Sequence, residues 1–281
     1  MGKYEVFYIT GCSHIMGSEL EGKQIHISDF NTKNRWPDVF HRNNLSNTTY
    51  YNESMGGNDN FNILATTIES LTDIINSGVN PQKILVVVGW TGIDRFSFAS
   101  DWRTKKIDID NELLKVPKML RISTTLDERH VSKDHKLFIP KYKELFKGLS
   151  AHASMIDLHR KFFTYHHCMI NFLELHKIPH LTYHSIKISK KQKLNDRIGL
   201  PYHNTGQNNH TKIKKLSNSN LFKFYENHAN TVKSWEVNFV EYLLNKGYDP
   251  LEDGRHFHFT ADAHKVWAEY FSTLLVDRNL L

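Results

Sequence analysis

A chain of 281 residues, 40% hydrophobic, 12% aromatic and 23% charged, has a globular composition that excludes collagen, coiled coil and wholesale disorder. Its 36 Lys and Arg exceed its 30 Asp and Glu by 6, a mild excess that is compatible with a polyanionic partner without demanding one. Two cysteines, Cys12 and Cys168, make no disulfide framework, and eighteen histidines are far more than one active site needs.

In chain order, Glu5–Thr10 reads as a first strand. Its apolar part, Val6–Ile9, is too short for a signal peptide or a membrane span, and position 6 is Val where a myristoylation signal has Ser or Thr. No later run reaches the length of a membrane helix, so the expectation is a soluble, cytoplasmic chain that does not engage a membrane. Phe61–Ser77 has Ile63, Leu64, Ile68, Leu71, Ile74 and Ile75 at helical spacing, with Gly78 as a stop. Lys83–Gly89 is a continuous β-branched run, expected of a strand buried on both faces of a parallel sheet. Leu137–Ile178 reads as two helices broken near Gly148, and His180–Ile186 as a strand. Residues 187–220 carry many lysines among Asn, Ser, His and Gly with little apolar periodicity, as in a polar insertion or long loop. A last helix is expected over Ala261–Leu275. Strands alternating with helices predict a parallel sheet covered on both faces, and no linker divides residues 1–281 into separate cores. No pattern specifies an oligomer.

Four segments could carry chemistry. The first strand runs into Thr10-Gly11-Cys12-Ser13, where a glycine turn would present a serine hydroxyl at the sheet's C-terminal edge. Taken alone, this is equally an ordinary turn with Ser13 as a helix N-cap. Met55-Gly56-Gly57-Asn58-Asp59-Asn60 precedes a helix, and its backbone N–H groups with the Asn60 amide could form an oxyanion hole. Gly89-Trp90-Thr91-Gly92-Ile93-Asp94-Arg95 follows the second predicted strand and supplies a hydroxyl and a cation. Asp253-Gly254-Arg255-His256-Phe257-His258 precedes the last helix, where a carboxylate can orient a histidine acting as general base. His-x-His could instead hold a metal, but no companion ligand cluster stands nearby. Cys12 as a nucleophile is less favoured than Cys12 as a small buried residue, and Trp36-Pro37 looks like a packing anchor. The histidines at 159, 166, 167 and 176 are expected in the core or on the surface.

The ordered set resembles the SGNH (GDSL-type) hydrolases, and is most similar to divergent SGNH-like proteins of tailed bacteriophages. The resemblance implies a three-layer α/β/α, flavodoxin-like fold with a mostly parallel sheet. It implies Ser13 as nucleophile in the Gly-x-Ser block and an oxyanion N–H from Gly57 or Gly56. Asn60 matches the asparagine of a Gly-Gly-x-x-Asn pattern, and Thr91 stands where the third block has its asparagine. Asp253 matches the last block's acid. Its spacing selects His256 as base, whereas the longer pattern His-Phe-Thr-x-x-x-His-x-x-Trp-Ala favours His258. Two departures are Cys12 in place of Asp and Thr91 in place of Asn.

The resemblance therefore implies a serine esterase without metal or cofactor, acting on acetyl or acyl esters of carbohydrate or lipid. A catalytically silent virion or binding protein on the same fold is the alternative, given those two departures. A nucleic-acid role for the Lys-rich insertion is the third reading; it is less favoured because no aromatic platform interleaves the lysines.

Overall fold

The computed structural model describes residues 2–18, 20, 28–93, 95–109, 112–123, 155–186, 218–251 and 258–281. Strands β1 (Val6–Thr10), β2 (Thr49–Asn52), β3 (Ile84–Trp90) and β6 (His180–His184) form a parallel sheet in the order β2-β1-β3-β6. Between β3 and β6 in the chain, β4 (Arg95–Ile109) and β5 (Glu112–Ser123) pair as a separate antiparallel hairpin.

Side-chain alternation assigns each strand residue to one of two apolar layers. Phe7, Ile9, Leu85, Val87, Leu181 and Tyr183 pack with α3 (Trp36–Asn44), α7 (Phe239–Asn245) and α8 (Ala261–Val276). Val6, Tyr8, Ile84, Val86, Val88 and Trp90 pack with α4 (Asn60–Asn76), α5 (Met155–Leu175) and α6 (Asn220–Asn227). Burial of every residue of β1, β3 and β6 explains why β3 carries an uninterrupted apolar run rather than alternating polarity. Trp36 is the anchor its position suggested. It is buried, its ring lies 4.7 Å from that of Phe271, and its backbone N–H donates to His264 Nδ1 at 3.2 Å.

The predicted strand, helix and strand at 5–10, 61–77 and 83–89 match β1, α4 and β3 to within a residue, and the last helix matches α8. Four differences stand out. β2 is an edge strand with alternating exposure and the polar sequence Thr-Tyr-Tyr-Asn, so it carries no apolar signal. The hairpin is additional; its register shifts between Ser100 and Thr104, next to the Thr104–Pro117 pair, where a proline strand position is tolerable. The third predicted strand ends at His184, two residues early. Of the long predicted helical stretch, Met155–Leu175 is helical, while 137–154 lies outside the described residues, as does 187–217 of the expected insertion. Among the described residues no helix is long and apolar enough to cross a membrane.

The order 2-1-3 makes the β1/β3 boundary the point where connections diverge, and an open α/β sheet has its crevice there, beyond the strands' C-terminal ends. Gly11, just past β1, and Gly89, near the end of β3, let the chain close at this boundary. A Cβ on Gly11 would lie 2.2 Å from Ile15 Cδ1 and 2.6 Å from the Gly89 carbonyl oxygen. The Ile15 side chain can yield, but the carbonyl belongs to a central strand. Gly11→Ala is expected to cost roughly 2–3 kcal/mol, read as a lowered urea midpoint at unchanged m-value.

Candidate active site

Three turns meet at that boundary. The first is α1 (Ser13–Met16), a single helical turn whose N-cap is Cys12 rather than Ser13, so Ser13 is its first residue and not the cap. Cys12 is fully buried, in keeping with a packing role, and Ser13 is buried too.

The second turn wraps the Gly11 carbonyl. Met55 N–H donates to Gly11 O at 3.0 Å and Asn58 Nδ2 donates to the same oxygen at 3.2 Å. Gly57 takes the left-handed conformation at φ 71°, which favours glycine. Gly56 N–H points at Met16 Sδ, 3.0 Å away. Asp59 caps α4 by accepting from Asn62 N–H at 2.8 Å.

The third turn follows β3. Asn60 Oδ1 accepts from Thr91 N–H at 2.9 Å, and Asn60 Nδ2 donates to Thr91 O at 3.2 Å and Gly92 O at 3.4 Å. The amide nitrogen of Asn60 is thus directed at two backbone carbonyls. This differs from the expectation that the Asn60 amide serves as a free oxyanion donor. Thr91 is fully buried, and its Oγ1 has no hydrogen-bond partner among the described residues. Arg95 Nη1 donates to Asn58 O at 3.5 Å.

The histidine candidate enters from the opposite wall. His258 precedes α8 and is buried; its carbonyl accepts from Leu251 N–H at 2.9 Å. Its ring stands edge-on to His14, the residue after Ser13, with centroids 5.3 Å apart, and His14 also packs against Phe239 at 5.5 Å. His264, in the first turn of α8, is buried, and desolvation with the neighbouring His258 lowers its pKa to about 3. Asp253 and His256 lie outside the described residues. Ser13, His258, Gly56, Gly57, Asn60 and Thr91 therefore converge on the ends of β1 and β3.

Asn58 is the residue that sequence reasoning missed. It is fully buried, and besides holding Gly11 O it accepts from Asn62 Nδ2 at 2.5 Å. Its position two residues before Asn60, just after a glycine pair, was the available signal. Among the described residues no group of three or more His, Cys, Asp or Glu side chains is placed to hold a metal ion.

The strand order is the flavodoxin-like one. No family model matches the chain, and no curated protein does. Solved structures similar to it include a lipolytic protein of the G-D-S-L family from Desulfitobacterium hafniense, at 11% identity and TM-score 0.44, covering 96% of this chain and 99% of that one. An acetyl xylan esterase is similar at 13% identity and TM-score 0.42, with coverage of 96% and 99%. An acylhydrolase from Bacteroides fragilis is similar at 14% identity and TM-score 0.42, with coverage of 99% and 88%. At these scores the fold assignment rests on sheet order and layering, not on the likeness.

Proposed function

We propose that the chain is a serine esterase of the SGNH type. The Ser13 hydroxyl attacks the ester carbonyl carbon and passes its proton to the imidazole of His258 or His256, which Asp253 orients. The tetrahedral oxyanion is received by the backbone N–H of Gly57, or of Gly56 if it leaves Met16, and by the Thr91 hydroxyl. Collapse expels the alcohol, which takes the proton from the imidazole, and leaves an acyl group on Ser13. Water, deprotonated by the same histidine, then releases the acid. Acetyl or acyl esters of carbohydrate or lipid are the substrate class this reading carries.

The observation that supports it is the meeting at the β1/β3 crevice of the serine turn and the C-terminal histidine segment, with the His14 and His258 rings in contact. A histidine 245 positions from the serine (258 minus 13) has no local reason to lie there.

A fluorophosphonate probe tests the reading, because it reacts with a serine only when an adjacent base activates it. The expected result is a single adduct on the peptide containing Ser13, absent from Ser13→Ala. An unlabelled Ser13 in folded protein overturns the esterase reading and leaves the non-catalytic binding protein in its place.

A further inference from the structure

We propose that Asn60 is a positioning residue that acts through Thr91: its carboxamide substitutes for a missing neighbouring strand and holds the Thr91 hydroxyl where an oxyanion would form. The inference rests on the esterase reading and assigns Asn60 a role different from the donor role the resemblance implies.

The geometry begins with unequal strand lengths. β1 ends at Thr10, which pairs with Val88, whereas β3 continues to Trp90. On its other side β3 stays paired to the end, with Trp90 opposite His184 and Ser185 N–H donating to Trp90 O at 2.9 Å. In an extended chain, alternate residues turn their N–H and C=O to opposite neighbours. Since Trp90 O points to β6, the polar groups of Thr91 point toward the side that β1 has already left. There the Asn60 carboxamide accepts from Thr91 N–H and donates to Thr91 O, standing in for two bonds that an adjacent strand would supply from two successive peptides. The same amide nitrogen also lies 3.4 Å from Gly92 O and holds the following peptide. Asn60 is itself buried at the start of α4, so the grip is made from a fixed element.

What is held in place is a hydroxyl. Thr91 Oγ1 is buried without a partner among the described residues. A buried unpaired hydroxyl opposes folding, so its presence calls for a reason outside stability. A donor kept free for a charge that exists only during reaction supplies that reason.

A double-mutant cycle distinguishes positioning from independent contributions. Thr91→Val removes the hydroxyl at nearly constant volume, and is expected to lower kcat roughly 10²-fold on a p-nitrophenyl ester with KM little changed. Its Tm should equal or exceed that of the wild type, because the unpaired hydroxyl is gone. Asn60→Ala should lower kcat to a similar extent, and adding it to Thr91→Val should lower kcat by less than about twofold more. Thr91→Ser should restore most activity when Asn60 is present and little when Asn60 is Ala. Should Asn60→Ala not fold, Asn60→Asp completes the cycle, since it keeps size and the Thr91 N–H acceptor while losing both donors. Multiplicative losses in the double variant, or full activity in Thr91→Val, overturn the inference. Fluorophosphonate labelling of wild-type Ser13 is run in parallel, so that a labelled serine with a multiplicative cycle rejects only the role of Asn60, whereas an unlabelled serine rejects the esterase reading itself.

Discussion

Ser13→Ala should reduce ester hydrolysis by at least about 10³-fold while leaving the unfolding midpoint within experimental error of the wild type. The size follows from losing the covalent route, which leaves only whatever the oxyanion donors and substrate binding achieve without a nucleophile. The small stability effect follows from removing a single hydroxyl at the first position of a one-turn helix whose cap is Cys12. The histidine is separable by the same logic. If His258 is the base, His258→Gln lowers activity nearly as far as Ser13→Ala, and combining the two costs little more, because the pair acts as one unit. His256→Gln then leaves most activity intact. Activity that survives Ser13→Ala, or falls equally on any change near the crevice, sinks the assignment. Progress curves on p-nitrophenyl acetate with matched thermal melts make the comparison.

How far the sequence alone reaches can be judged element by element. β1, β3 and α4 are legible because each has one period and a full core face. The Ile-Leu-Val-Val-Val of β3 has no polar interruption, and α4 repeats apolar residues at three- and four-residue spacing. β2 is not legible, since an edge strand with half its residues exposed needs no apolar pattern. The hairpin is not legible either: Pro117 falls within β5, and a proline inside a run argues against reading it as a strand. β6 is an intermediate case. Its apolar pair, Leu181 and Tyr183, packs on the α3/α7/α8 layer, while His180, Thr182 and His184 are buried polar residues with partners elsewhere in the chain.

The site shows the same division. Ser13 and Thr91 are readable as strand-end residues, because a parallel sheet presents all its C-terminal ends on one edge, whereas Gly57 is readable only as one of a glycine pair before a helix. In the run Asn58-Asp59-Asn60 the sequence singles out only Asn60, and as a donor, yet the structure assigns each residue a different task. Asn58 holds Gly11 O, Asp59 caps α4, and Asn60 grips Thr91. Which polar side chain faces which peptide is set by how the helix N-terminus docks between two strands, and that is tertiary information. His256 and His258 are separable from the other histidines by their place before the last helix, but not from each other, and the contact of His258 with His14 joins distant parts of the chain.

The surplus of histidines leads to the second large effect, a loss of stability in mild acid. α5 contributes His166, with His167 and Glu174 along the same helix, β6 contributes His180 and His184, and the segment after α6 contributes His228. His166 Nε2 lies 2.9 Å from Thr231 Oγ1, His228 Nδ1 lies 3.1 Å from the same hydroxyl, and His184 Nε2 lies 2.7 Å from Tyr225 OH. Glu174, bonded to His228 at 3.0 Å, is the carboxylate recorded in these contacts, and it is half exposed. Desolvation, reinforced by neighbouring histidines, pushes His166 well below its usual pKa. Desolvation also lowers His180, and it brings His184 to about 3. His264, near the candidate site, is lowered to about 3 as well.

The sign is fixed by where protons go. An unfolded histidine binds a proton near pH 6.5, while His184 and His264 stay neutral in the fold until far lower pH and His166 and His180 are displaced in the same direction. Below about pH 6.5 the unfolded chain therefore holds more protons, and stability falls as pH drops toward the folded values. At pH 5, about 1.5 units below the unfolded pKa, a histidine whose folded pKa is about 3 costs roughly 2 kcal/mol. His184 and His264 alone thus remove about 4 kcal/mol, with His166 and His180 acting in the same direction, against a total of about 5–15 kcal/mol for a typical fold. Urea unfolding from pH 7.5 to 5 should show stability flat above about 6.5 and falling below it with a slope of at least about two protons. His184→Gln, which preserves an acceptor for Tyr225, should reduce that slope by about one proton. A stability that stays level down to pH 5 would mean these side chains are hydrated or already charged in the native state. The fold tolerates the arrangement because β6 is enclosed by α5 and the Thr231 segment, which bridges to Thr182. Hydroxyls there bond one nitrogen each of His166 and His184 without supplying the negative charge that would retain a proton.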